Sequence, residues 1–71
     1  MKLEEIEVGK IYTNGSTARK VVAAGPEYVL YKKQEDRDCV RYQVVQGRGR
    51  GGEHNCTRRS FASWAKAEVR T

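Results

Sequence analysis

Long apolar runs are absent from this chain, and none approaches the roughly 20 residues that a membrane-spanning helix needs. The opening stretch, MKLEEIEVGK, has acids where a secretory signal needs an apolar core. The expectation is a cytoplasmic protein with no membrane partner. Cysteine is scarce. Cys39 and Cys56 are the only two, and in a reducing compartment they read as free thiols rather than a structural disulfide. Asn55-Cys56-Thr57 then fits a glycosylation sequon in form only. His54 is the single histidine and there is no C-x-x-C pair. His54 and Cys56 could share a strand face, and Cys39 and Asp38 could join them. Structural zinc, however, draws about four ligands from closely spaced cysteines and histidines. No metal and no cofactor are expected. The same shortage leaves a Cys–His nucleophile without an orienting third group. Chain length is short as well. At 71 residues the chain makes one domain, 1–71, and buries only roughly 60% of the surface its unfolded form exposes. That leaves little wall around a buried catalytic constellation, so a binding protein is expected rather than an enzyme.

Positive charge is what the chain has in excess. The net charge is +5, and it is uneven: residues 1–9 carry −2, 10–40 carry +2, 41–59 carry +4 and 60–71 carry +1. In the third segment every basic residue is an arginine: Arg41, Arg48, Arg50, Arg58 and Arg59. Arginine presents a planar fork of donors suited to phosphate or carboxylate. A basic field of this kind points to an anionic partner, nucleic acid first.

The periodicity is that of short strands separated by turns. Residues 9–13 run into Asn14-Gly15, which reads as a two-residue hairpin turn because both positions tolerate positive φ. Residues 17–24 alternate, with Arg19, Val21 and Ala23 on one face and Lys20, Val22 and Ala24 on the other. Gly25-Pro26 punctuates the chain, and 27–33 reads as a further strand. Residues 39–45 place Val40, Tyr42 and Val44 opposite Arg41 and Gln43, as in a half-buried antiparallel strand. Residues 46–55 read as a flexible Arg/Gly loop, with a last strand within 54–59. Ser60 can cap a helix over 60–69, whose Phe61 and Trp64 would plug an open end of the sheet. Within the N-terminal segment 1–8, LEEI can form one helical turn that packs Leu3 and Ile6. The fold class expected is mainly β: a small SH3-like barrel of four to five antiparallel strands with a short C-terminal helix.

Gly47, Gly49 and Gly52 satisfy G-x-G-x-x-G in form. That fingerprint works only where a helix opens directly after it and meets a pyrophosphate with its N-terminus. Here EHNCTRR follows, with no helical periodicity, and no lysine stands where a phosphate loop needs one. Nucleotide binding by this route is excluded. The reading that remains is phosphate contact by Arg41, Arg48, Arg50, Arg58 and Arg59, sensitive to salt. Lys32, Lys33 and Tyr31 are possible accessories, since a tyrosine among basic residues can stack bases. Tyr42, within a clean alternation, reads as core.

VGKIY near the start and C-T-R-R-S-F-A-S-W-A near the end resemble small uncharacterised proteins of tailed phages and prophages, over Val8 to Ala65. The resemblance implies an SH3-like fold and a cytoplasmic protein made during infection or from a prophage, and it carries no catalytic residues. The function expected is a non-enzymatic phage-type protein that binds nucleic-acid backbone. The alternative is a module that binds an acidic host protein and modulates it. An exposed sheet edge leaves the chain a monomer or a weak homodimer.

Overall fold

The computed structural model describes residues 1–70. Strands β1 (Ile11–Thr13), β2 (Ala18–Ala24), β3 (Cys39–Gln46) and β4 (Glu53–Thr57) precede a helix, α1 (Arg58–Trp64), and a last strand, β5 (Ala67–Val69). All pairings are antiparallel, and they form one five-stranded sheet of order β4-β3-β2-β1-β5. The mainly β fold with a short helix is the expected one. The sheet is not closed into a barrel, because among the described residues no ladder joins β4 to β5.

The inner face of the sheet carries Tyr12, Val21, Val40 and Tyr42, over which α1 lays Phe61, Ala62 and Trp64. Phe61 is fully buried and meets Tyr12 edge-on, with ring centroids 5.5 Å apart. The aromatic plug therefore closes over the sheet as its spacing implies. The Tyr12 hydroxyl donates to the Glu5 carbonyl and accepts the Glu7 N–H at 2.9 Å, which latches the N-terminal segment to the core. That segment holds a single 3-10 turn, Leu3–Glu5. Ile6 is fully buried there but Leu3 stays 40% exposed, so only one of the two expected contacts forms.

Several local expectations are corrected by tertiary structure. The β1–β2 connection is not a two-residue turn: Thr13 pairs with Ala18, leaving Asn14 to Thr17 in the loop. Asn14 does not take positive φ. Instead its Oδ1 accepts the N–H groups of Ser16 and Thr17, both at 3.0 Å, so the side chain itself makes the turn. In β2 the register shifts between Val21 and Ala23, an extra residue that bends the strand. Ala24 consequently pairs with Val40 and rejoins the inner face, contrary to strict alternation.

Residues 27–33 form no strand. Pro26–Tyr28 is a 3-10 turn, and irregular chain continues to Asp38. β2 pairs directly with β3, whose other edge is taken by β4, so this segment cannot add a strand between or beside them and runs as an excursion from one to the other. The excursion is pinned by Gln34, which is only 6% exposed. Its side chain accepts from Leu30 N–H at 2.9 Å and donates to the Asp36 carbonyl at 2.6 Å and to Cys39 Sγ at 3.2 Å.

The helix is also displaced from its expected place at 60–69. Thr57, not Ser60, is its cap, accepting Ser60 N–H on Oγ1 at 3.0 Å. Ala65 is extended, and Ala67–Val69 runs along the open edge of β1. A backbone ladder there outweighs the helix preference of the alanines.

Candidate functional site

The Arg/Gly stretch is the β3–β4 hairpin turn, narrower than 46–55 because Gln46 and Glu53 belong to the strands. It is a hydrogen-bonded turn rather than slack chain. Val44 N–H donates to the Gly52 carbonyl at 2.9 Å and the Val44 carbonyl accepts from Gly51 N–H at 2.8 Å, while Gly52 N–H reaches the Gly49 carbonyl at 3.0 Å. Gly49 and Gly51 take φ of +82° and +93°, a region open to glycine and costly to other residues. Arg48 and Arg50 are thereby carried at the exposed tip.

The five candidate arginines do not form one patch. Arg41 lies on the outer face, where its Nε meets Glu53 Oε1 at 3.0 Å and its Nη1 meets Asn55 Oδ1 at 2.8 Å. Arg58 sits at the far end of β3. Its Nε meets Asp38 Oδ1 at 2.9 Å and its Nη1 donates to the Ile6 carbonyl at 2.7 Å, tying α1 to the N-terminal segment. Arg59 is exposed at the start of α1, beside Leu3, Asp36 and Asp38. Lys32, Lys33 and Tyr31 are exposed on the excursion between β2 and β3, at the end that holds Arg58. The eight residues of β3 separate that end from the hairpin tip by roughly 25 Å at the usual rise per residue. Arg48 and Arg50 make no ion pair among the described residues.

Beside the hairpin lies a cluster of residues that was not among the candidates. Arg19 pairs in the ladder with Val44, the residue bonded to Gly51 and Gly52. Its guanidinium stands 4.0 Å from the Trp64 ring centroid and 4.5 Å from that of Tyr42. Tyr42 is half-buried against the core, and the exposed His54 lies across from it with ring centroids 5.7 Å apart. The alternation put Arg19 in phase with Val21, but the opposite face, Lys20, Val22 and Ala24, has the same make-up, so the sequence did not mark which of the two would be buried.

The cysteines take ordinary places. Cys39 is buried, Cys56 half-buried, and both are free. Burial pushes the Cys56 thiol up from 9.0 to about 11, against a smaller opposing pull from the Arg19 charge. It is a poor nucleophile at neutral pH. Among the described residues no group of three or more His, Cys, Asp or Glu side chains could hold a metal, and no helix is long and apolar enough to cross a membrane.

The fold is that of a small open-sheeted β protein with one helix, and this end of the hairpin gathers basic and aromatic side chains. No known protein family, curated protein or solved structure matches the chain.

Proposed function

We propose that this is a small non-enzymatic binding protein, of the tailed-phage type that its end motifs resemble, and that it engages nucleic-acid backbone at the tip of the β3–β4 hairpin. The observation that carries the reading is the division of labour among the arginines. Arg41 and Arg58 are occupied by Glu53 and Asp38, whereas Arg48 and Arg50 stand exposed and without a carboxylate partner among the described residues. Two free guanidinium groups on a glycine turn can follow successive phosphates without interference from neighbouring side chains. Such contacts position a strand without reading its bases. The proposed binding therefore depends on salt and hardly on sequence.

The test is fluorescence anisotropy of a labelled oligothymidine over a salt series. Arg48→Ala/Arg50→Ala is expected to reduce the slope of log K against log salt by about 0.7 for each phosphate contact removed. An unchanged slope, or no binding by the native protein at low salt, would sink the reading. The same two arginines suit an acidic protein surface. A host partner recovered from lysate after nuclease treatment, and lost with the double variant, would move the assignment to protein binding.

A further inference from the structure

Arg19 is the charged residue least placed like a surface group. It lies in register with Val44 on the inner face, half-buried and stacked on Tyr42 and Trp64. Its Nε is buried with no hydrogen-bond partner. Among the described residues no carboxylate pairs with it. Burying a charge without a counter-ion is costly, and stacking on aromatic rings returns only part of that cost. An apolar side chain of similar length would keep the packing and avoid the desolvation. What only arginine supplies here is a guanidinium held in one orientation with donors to spare. Because the rings already fix it, an incoming anion meets little further ordering cost.

The surroundings define which anion fits. Val44 bonds to Gly51 and Gly52, so Arg19 is one strand away from the base of the arginine hairpin. On the other side of Tyr42 stands the exposed His54 ring, and the Trp64 ring is only half-buried. A duplex offers its phosphates but keeps its bases stacked inside. An unpaired strand offers phosphates and base faces together. We propose that Arg19, His54 and Trp64 form a site for single-stranded nucleic acid, with a phosphate on the Arg19 guanidinium and an adjacent base against the His54 or Trp64 ring. This rests on the nucleic-acid reading above and gives it a substrate class. The hairpin arginines then steer the strand, and Arg19 holds it.

Trp64 is the only tryptophan and it touches Arg19, so its emission reports on this site alone. The native protein is titrated with an oligothymidine of about 12 nucleotides, with a duplex of the same length and with an oligoglutamate peptide, while anisotropy and Trp64 emission are read in parallel. Trp64 emission should follow the oligothymidine isotherm. Arg19→Lys, which keeps the charge but loses the planar fork, should weaken that binding about tenfold, with its fold checked by thermal melting. Arg48→Ala/Arg50→Ala should lower the salt slope and leave the Trp64 response in place. If the oligothymidine binds while Trp64 stays silent and Arg19→Lys changes affinity by less than roughly twofold, the Arg19 site is wrong and the hairpin reading stands. Equal binding of the duplex overturns the single-strand assignment. A Trp64 response to oligoglutamate alone makes the partner a protein. No binding of either nucleic acid removes both readings. If a variant fails to fold, the native titrations decide: oligothymidine binding with a silent Trp64 overturns the Arg19 site by itself.

Discussion

Gln34→Ala tests the account of why residues 27–33 leave the sheet. The Gln34 side chain joins three points of the excursion: Leu30 N–H, the Asp36 carbonyl and Cys39 Sγ, at 2.9, 2.6 and 3.2 Å. It does so while only 6% exposed, so water cannot fully replace it. Each of the two stronger bonds contributes about 1 kcal/mol net, and a stranded partner costs a comparable amount. The sulfur contact adds little. Truncation is therefore expected to cost about 2–3 kcal/mol, which for a domain of this size lowers the melting temperature by roughly 10–20 °C. Trp64 fluorescence in urea or on heating reads the change. The exposed neighbour Lys33→Ala should stay within about 0.5 kcal/mol of the native protein. Gln34→Glu sharpens the test. A carboxylate can still accept from Leu30 but, once ionised, cannot donate to Asp36 or Cys39. It should be more damaging at pH 8 than at about pH 4, where a share of the side chains is protonated and regains a donor. If Gln34→Ala costs less than about 0.5 kcal/mol, the level of an ordinary surface change, Gln34 is not what holds the excursion.

Two further outcomes follow from the same physical reasoning. With its pKa raised to about 11, Cys56 should be alkylated at pH 8 about a hundredfold more slowly than a thiol at 9.0, since only the thiolate reacts; its rate should keep rising tenfold per pH unit up to that pKa, and a plateau near pH 9 would show that burial does not act on it. Thr57→Ala removes the cap bond to Ser60 N–H and should cost about 1 kcal/mol in urea unfolding, whereas Ser60→Ala, which the sequence marks as the cap, should cost clearly less.

Where the sequence could be read and where it could not divides along locality. β3 was plain because Val40, Tyr42 and Val44 alternate without interruption, and one sheet face had to be buried. Residues 27–33 have comparable composition and no strand, because the neighbouring strands β2 and β3 already have both edges paired, and edge occupancy is not written locally. β5 was hidden for the opposite reason. Ala67–Val69 is three residues long and follows an alanine-rich helix. Its strand character comes wholly from the edge of Ile11–Thr13, far away in the chain. The bulge at Val22 shifts every face assignment after it by one residue, and no periodicity announces it. The same division holds for the site. The exposed position of Arg48 and Arg50 was legible from their glycine neighbours. Arg41 and Arg58 carried the same apparent promise, but folding brings Glu53 and Asp38 against them, and those pairings exist only in three dimensions.

Gln34 and Arg19 pose the same physical problem with different resolutions. Each is a polar side chain drawn into the protein, and each must be satisfied there or cost stability. Gln34 is answered from both ends of its amide by the chain around it, so its role is complete within the fold. Within the protein Arg19 is answered by the faces of two rings, which offset part of its desolvation, while its buried Nε has no hydrogen-bond partner. A sequence whose local and global preferences otherwise agree tends to break that agreement where it binds something. The contrast also separates two kinds of sensitivity. A change at Gln34 should act on stability, with ligand binding altered only through loss of folded protein. A change at Arg19 to an apolar side chain should leave stability level or raise it, while removing the donors that a phosphate would meet. An arginine whose replacement by methionine stabilises the protein and abolishes oligothymidine binding is kept for its ligand; one whose replacement only destabilises the protein belongs to the core.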